Sequence, residues 1–84
     1  KKQAFMTLNK IVANNIKYIR IINSISQEEL ANTIGINQSY ISAIERGEKP
    51  ISLNRLEEIA EVLKVEPYIL LKKNLKDIIK NKLK

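Results

Sequence analysis

An all-α fold is what this chain of 84 residues predicts, and three observations predict it. Apolar residues recur three and four positions apart nearly everywhere, and no strand-like alternation persists. Only two glycines and two prolines interrupt the pattern. Serine or asparagine stands just before several of the periodic stretches, where a helix N-cap belongs.

The first helix is expected over roughly residues 7 to 23, with Leu8, Ile11, Val12, Ile19 and Ile22 on one face and Asn15 as the odd polar member. Ser26 caps a second, over roughly 27 to 34. Ser-Gln-Glu-Glu puts an acid three residues after the cap, completing a capping box, and Glu28 and Glu29 suit the positive helix end. Gly35 supplies the left-handed residue that stops this helix, and Asn37 caps the next, so the turn between them is only Gly-Ile-Asn. Two helices joined that tightly must cross steeply. The third helix covers residues 38 to 46 and closes at Gly47. Ser52 caps a fourth with Leu53, Leu56, Ile59, Ala60 and Leu63 inward, and Glu66-Pro67 starts a fifth with Leu70 and Leu71 inward. There is no internal repeat and no linker-like tract.

Composition then removes whole classes of function. Neither cysteine nor histidine is present, which excludes disulfides, cysteine-based zinc sites and imidazole-assisted nucleophiles. A single small domain has no room for a deep catalytic cleft. The chain is therefore expected not to be an enzyme, and no metal or other cofactor is expected. No apolar run approaches the roughly 20 residues that span a bilayer, and residues 1 to 10 lack the apolar region of a secretory signal, so the cytoplasm is the expected location. The net charge of +6 lies at the ends: five positive groups and no acid in residues 1 to 20, six lysines against Asp77 in residues 72 to 84, and a net −4 between. A basic chain suits a nucleic-acid partner, but the middle segment must be judged by geometry.

On a helical wheel of about 100° per residue, Gln38, Ser39, Ser42, Ala43 and Arg46 share one sector of the third helix, and Ile41 and Ile44 lie opposite with Leu30, Ala31 and Ile34. The outer sector has small or hydrogen-bonding side chains and no carboxylate. A helix of this kind fits the major groove of B-DNA, where an amide pairs with adenine and hydroxyls meet bases or phosphates. A phosphate would find a seat at the start of the second helix, beside Gln27. Taken alone, the stripe is equally an ordinary solvated face, Gln27 an exposed first-turn residue and Lys49 a plain turn lysine.

The surrounding words shift that balance. SQEELA, then Gly35, then NQSYISAIERG and ISLNRLEEIAEVLKVEP resembles the lambda-repressor-like helix-turn-helix family of XRE or Cro/CI type, over about residues 10 to 71. Within it, the chain is most similar to the small controller proteins of restriction-modification systems, although, like phage repressors, it carries glutamine at Gln38, where those controllers often carry arginine. The resemblance implies a compact five-helix domain over residues 7 to 73 that binds operator DNA as a homodimer and regulates transcription. It implies that Gln27 contacts a phosphate, that Gln38, Ser39 and Ser42 reach bases or nearby phosphates, and that Ala43 meets a thymine methyl. Arg46 and Lys49 would hold the backbone, with help from Ser52 or Asn54. Asn37 is first a cap and second a contact; Tyr40 lies beside the core sector and is read equally as packing or as DNA contact. The resemblance also implies a structural ion pair between Arg20 and Glu45.

Three features remain open from sequence. Val62, Val65, Tyr68 and Ile69 are apolar residues left over once the core is filled, and are the candidate dimer surface. In the tail, residues 74 to 84, Leu75, Ile78, Ile79 and Leu83 fall on one side of a short helix with lysines around the other. It would pack against the first helix or a partner subunit, or serve as a basic arm for DNA; without tryptophan or phenylalanine it makes a poor membrane anchor. An antitoxin would share this domain and also grip a protein toxin. An activator would need a surface for RNA polymerase, for which Glu57, Glu58 and Glu61 are candidates, and more simply a solvated face.

Overall fold

The computed structural model describes residues 7–82, and Leu83 of the expected tail face lies outside them. The described residues contain five α-helices and one short 3₁₀ turn, and no strand: α1 (Leu8–Ile22), α2 (Gln27–Ile34), α3 (Gln38–Glu45), α4 (Leu53–Leu63), the 3₁₀ turn (Pro67–Leu71) and α5 (Leu75–Lys82).

Local chemistry sets each boundary. Thr7 accepts from the Lys10 amide to open α1. At α2 both halves of the capping box form: the Glu29 amide donates to Ser26 Oγ at 2.9 Å, and the Ser26 amide donates to Glu29 Oε1 at 2.9 Å. Gly35 ends α2 at φ 92°, the left-handed region that favours glycine. Asn37 occupies the N-cap position of α3 with no side-chain cap bond. Ser52 accepts from the Arg55 amide at the start of α4. That helix ends unexpectedly on Lys64 at φ 62°, a left-handed C-cap without glycine.

The core fills between α1, α2, α3, α4 and the 3₁₀ turn. Ile16, Leu30, Ile41, Ile44, Ile59, Leu63 and Leu70 are fully buried, each contributing about 1.5–3 kcal/mol of apolar transfer. Asn15 is explained by its partners: its Nδ2 donates to the Leu70 carbonyl at 2.9 Å and the Lys72 carbonyl at 2.9 Å, tying α1 to the far end of the 3₁₀ turn. One amide thus satisfies carbonyls that a tight turn leaves without helical partners.

Four apolar positions depart from the expected faces. Leu8 and Ile22 are exposed, because they sit on the terminal turns of α1, beyond the elements packed against its middle. Leu53 is 79% exposed, being the first residue of α4 and outside the packed stripe that begins at Leu56. The expected fifth helix is only a five-residue 3₁₀ turn, whose Lys72 amide bonds back to the Ile69 carbonyl. It turns Leu70 inward and leaves Leu71 exposed. The tail forms α5 against α1: Leu75 is buried in the core, Ile79 packs partly against it, and the Lys76 ammonium stands 5.8 Å from the centre of the Tyr18 ring.

Candidate nucleic-acid interface

The short Gly-Ile-Asn connection holds α3 against α2, and the apolar side of α3 anchors it: Ile41 and Ile44 are buried, so the opposite side of the helix must face outward. Gln38, Ser39 and Arg46 are exposed there and Ser42 is half-buried. Arg46 spans the end of the stripe, donating from Nη1 to Ser42 Oγ at 2.5 Å and pairing through Nε with Glu48 Oε2 at 3.0 Å. That pairing raises the Arg46 pKa further and holds the Glu48 carboxyl below the usual carboxylate range, by hydrogen bond first and charge second.

Beneath the stripe runs a polar network linking four residues that the sequence places far apart. Glu45 accepts Arg20 Nε at 2.6 Å and Arg20 Nη2 at 3.0 Å, while Arg20 Nη1 caps the Ile25 carbonyl. The pair is buried, the Glu45 side chain only 2% exposed. Gln27 Nε2 donates to Glu45 Oε1 at 3.0 Å, and Gln38 Nε2 in turn donates to Gln27 Oε1 at 2.9 Å. The ion pair that the resemblance implies is therefore present, and Gln27 is drawn half inside between it and Gln38.

Other candidate residues distribute around this centre. Lys49 and Asn54 are exposed, and Ser52 is exposed with its oxygen engaged as the α4 cap. Tyr40 is partly buried against the core with the Arg55 guanidinium 5.6 Å from its ring centre, so its packing half is occupied. Ala43 differs from its place on the wheel: it is only 9% exposed, leaving a thin surface to offer a base. Val62, Val65 and Ile69 are partly buried and pack against the core, so they are not left over from it as the sequence reading has them; only Tyr68 of the four is well exposed, at 60%.

Two contributors escape sequence reasoning. Lys10 Nζ donates to the Arg46 carbonyl at 2.9 Å, and Asn9 Nδ2 to the Gly47 carbonyl at 3.4 Å, so the start of α1 clamps the C-terminal end of α3. A lysine at the negative end of a helix is favourable. Gly47, at φ 75°, allows the approach: a Cβ there would sit 2.9 Å from Lys10 Cδ. The glycine is visible in sequence; its partner 37 positions away is not.

A short turn between two helices, an outward polar helix face, and cationic groups at its end define the class: helix-turn-helix DNA-binding regulators. The chain belongs to the helix-turn-helix family, whose model matches residues 16–70, and is a DNA-binding transcription regulator of the XRE or lambda-repressor-like type. It is similar to control protein C.SmaI of Serratia marcescens, 36% identical over 74 residues that cover 87% of this chain and 88% of that one. Among solved structures it resembles the hypothetical transcription factor NHTF from Neisseria, at TM-score 0.79 and 35% identity over 86% of this chain and 83% of the other. It also resembles the restriction-modification controller C.Esp1396I, whose tetramer has been solved in complex with its natural 35 base-pair operator, at TM-score 0.71 and 31% identity over 95% of this chain and all of that one. This family consists of transcriptional regulators rather than enzymes. Among the described residues no helix is long and apolar enough to cross a membrane.

Proposed function

We infer that the protein works in the cytoplasm as a homodimer on a (pseudo)palindromic operator, with α3 in the major groove of each half-site. The observation that carries this reading is the outward face of α3, where Gln38, Ser39 and Ser42 form a carboxylate-free polar surface ending in Arg46. Gln38 and Ser39 stand on the first turn, the part of a recognition helix that meets base edges. Gln38 reads a base, Ser39 and Ser42 reach bases or phosphates, and Ala43 borders a thymine methyl. Arg46 and Lys49 hold the backbone, and Gln27, at the N-terminus of α2, takes a phosphate through its amide. Ser52, Asn54 and Asn37 stand at the edge of this footprint, with Tyr40 mainly a packing residue.

One such helix covers about half a turn of DNA, so pairing two across a two-fold axis is what supplies specificity. Val62, Val65, Tyr68 and Ile69, joined by exposed Leu71, offer the apolar surface for that pairing. The likeness to control proteins over nearly their whole length supports a role as a restriction-modification controller. Residues 7–73 form the DNA-binding unit, and residues 74–84 a basic amphipathic tail; the burial of Leu75 supports a tail that braces α1.

Footprinting the purified protein on the DNA upstream of its own gene, with stoichiometry measured in parallel, tests this reading. Two protected half-sites related by two-fold symmetry, about one helical turn apart, with two chains bound, are expected. A single unsymmetrical footprint with one chain bound would contradict the dimeric reading.

A further inference from the structure

In the reading of α3 as the recognition helix, Arg46 and Lys49 hold the DNA backbone at the carboxyl end of α3, the end whose dipole repels a phosphate. We propose that Lys10, carried on α1, is a further DNA-backbone contact, seated over that helix end and taking an operator phosphate beside those assigned to Arg46 and Lys49. The proposal rests on the recognition-helix reading and adds a second element to the footprint.

Charge explains why a third cation is needed. Arg46 and Lys49 bring two positive charges to this end of α3 and Glu48 one negative. The helix end itself carries about half a negative charge, so only about half a positive charge would remain to attract a phosphate. Lys10 raises that sum to about +1.5. It is in place to do so: its Nζ donates to the Arg46 carbonyl at 2.9 Å, and its aliphatic end lies against Gly47, where a Cβ would come within 2.9 Å of Cδ and 3.1 Å of Nζ. Glu48 feels the same ammonium, its carboxyl being held low chiefly by the hydrogen bond and charge of Arg46, with Lys10 adding to them. An ammonium has three donor hydrogens and the Arg46 carbonyl takes one, so two remain for a phosphate. Lys10 is exposed, so a phosphate can reach it from solvent. Its anchoring also strengthens the contact, because a lysine already seated has less rotamer freedom to lose on meeting the backbone than a free surface lysine.

A preferred duplex is first selected with the wild type, and the slope of log affinity against log salt is measured on it for Lys10→Gln, for Arg46→Ala and for the two changes together. Lys17→Gln serves as the control, since Lys17 is an exposed lysine of α1 that borders the cleft toward α5. Melting curves confirm that each variant is folded. Lys10→Gln is expected to flatten the slope by about 0.9 per bound chain, so that the affinity ratio of wild type to variant shrinks about 3.5-fold between roughly 50 and 200 mM salt. The order of preferred duplexes is expected to stay the same, because a phosphate contact carries no sequence information. Lys17→Gln is expected to leave the slope alone, and the double variant to lose both phosphates, about 1.8 in slope. An unchanged slope in Lys10→Gln overturns the proposal. So does a double variant that loses no more than Arg46→Ala alone, since Lys10 would then act only by propping Arg46, and so does an equal loss in Lys17→Gln, the mark of diffuse charge. If Lys10→Gln does not fold, acetylation of the wild type with and without the selected duplex decides: protection of Lys10 that Lys17 does not share supports the contact, and equal labelling of Lys10 in both states overturns it. The recognition-helix reading is checked separately by Gln38→Ala, and fails if that change alters no base preference, whatever the Lys10 slope.

Discussion

Arg46 is held by an acid, and this bears on the DNA contact proposed for it. Glu48 pairs with the guanidinium that is proposed to meet a phosphate, and the pair is exposed enough to exchange partners. Replacing Glu48 with glutamine is expected to tighten non-specific DNA binding and leave the choice of sequence unchanged; Arg46→Ala is expected to flatten the slope of log affinity against log salt by about one phosphate, near 0.9. Salt titrations of both variants measure this. Because Arg46 lowers the Glu48 pKa, the pair is intact at neutral pH and its small contribution to folding disappears only as pH falls through that lowered value. Asn15 makes the opposite kind of contact. Asn15→Ala strands two carbonyls near the core and is expected to cost about 2 kcal/mol in urea unfolding. The sequence announced Asn15 only as an anomaly on an apolar face, since its partners lie 55 and 57 residues away.

Helix boundaries were legible wherever a side chain or glycine supplies the missing backbone partner. Residues 27 to 34 emerge with both ends correct, because Ser26, Glu29 and Gly35 act within a few residues of the bonds they complete. The misreadings cluster at helix ends. Leu8, Ile22 and Leu53 satisfy the helical period, but a wheel has no information on where the neighbouring element stops. Leu71 fails for a second reason: the turn after Pro67 is 3₁₀, with a period of three, so adjacent leucines diverge. Lys64 is the boundary with no local signal, since a left-handed C-cap favours glycine or asparagine. Lys64→Gly is therefore expected to stabilise the fold by about 1 kcal/mol, raising the melting temperature by roughly 4–8 °C. Calorimetry measures the shift, and a lowered melting point would contradict the cost assigned to that cap.

At the scale of the whole molecule, the stripe on α3 was readable from the wheel because its side chains need only share a face. The network under it was not: Arg20, Gln27, Glu45 and Gln38 meet only when α1, α2 and α3 are packed, and the ion pair was implied by family resemblance rather than by spacing. The proposed dimer surface lies between these cases: Val62, Val65 and Ile69 pack partly against the core, and Tyr68 is the member the single chain leaves outside. Tyr68→Asp puts a charge on that surface at a position already 60% exposed, so it is expected to leave the monomer fold within about 0.5 kcal/mol. The same change is expected to weaken self-association at least tenfold, about 1.4 kcal/mol. Sedimentation across a concentration series measures both species; an unchanged dimer would move the interface elsewhere.

Base reading by the outward face of α3, as proposed, is open to direct test by selection from a random duplex pool. Wild type and Gln38→Ala are carried through the same rounds at the same salt, and the enriched sequences are compared. A two-fold-symmetric consensus is expected for the wild type, with one adenine in each half-site losing its preference in the variant and the remaining positions preserved. Enrichment of no consensus by either protein, with equal salt-sensitive binding to every duplex, would mean that the stripe is a solvated face and that the terminal lysines supply the affinity.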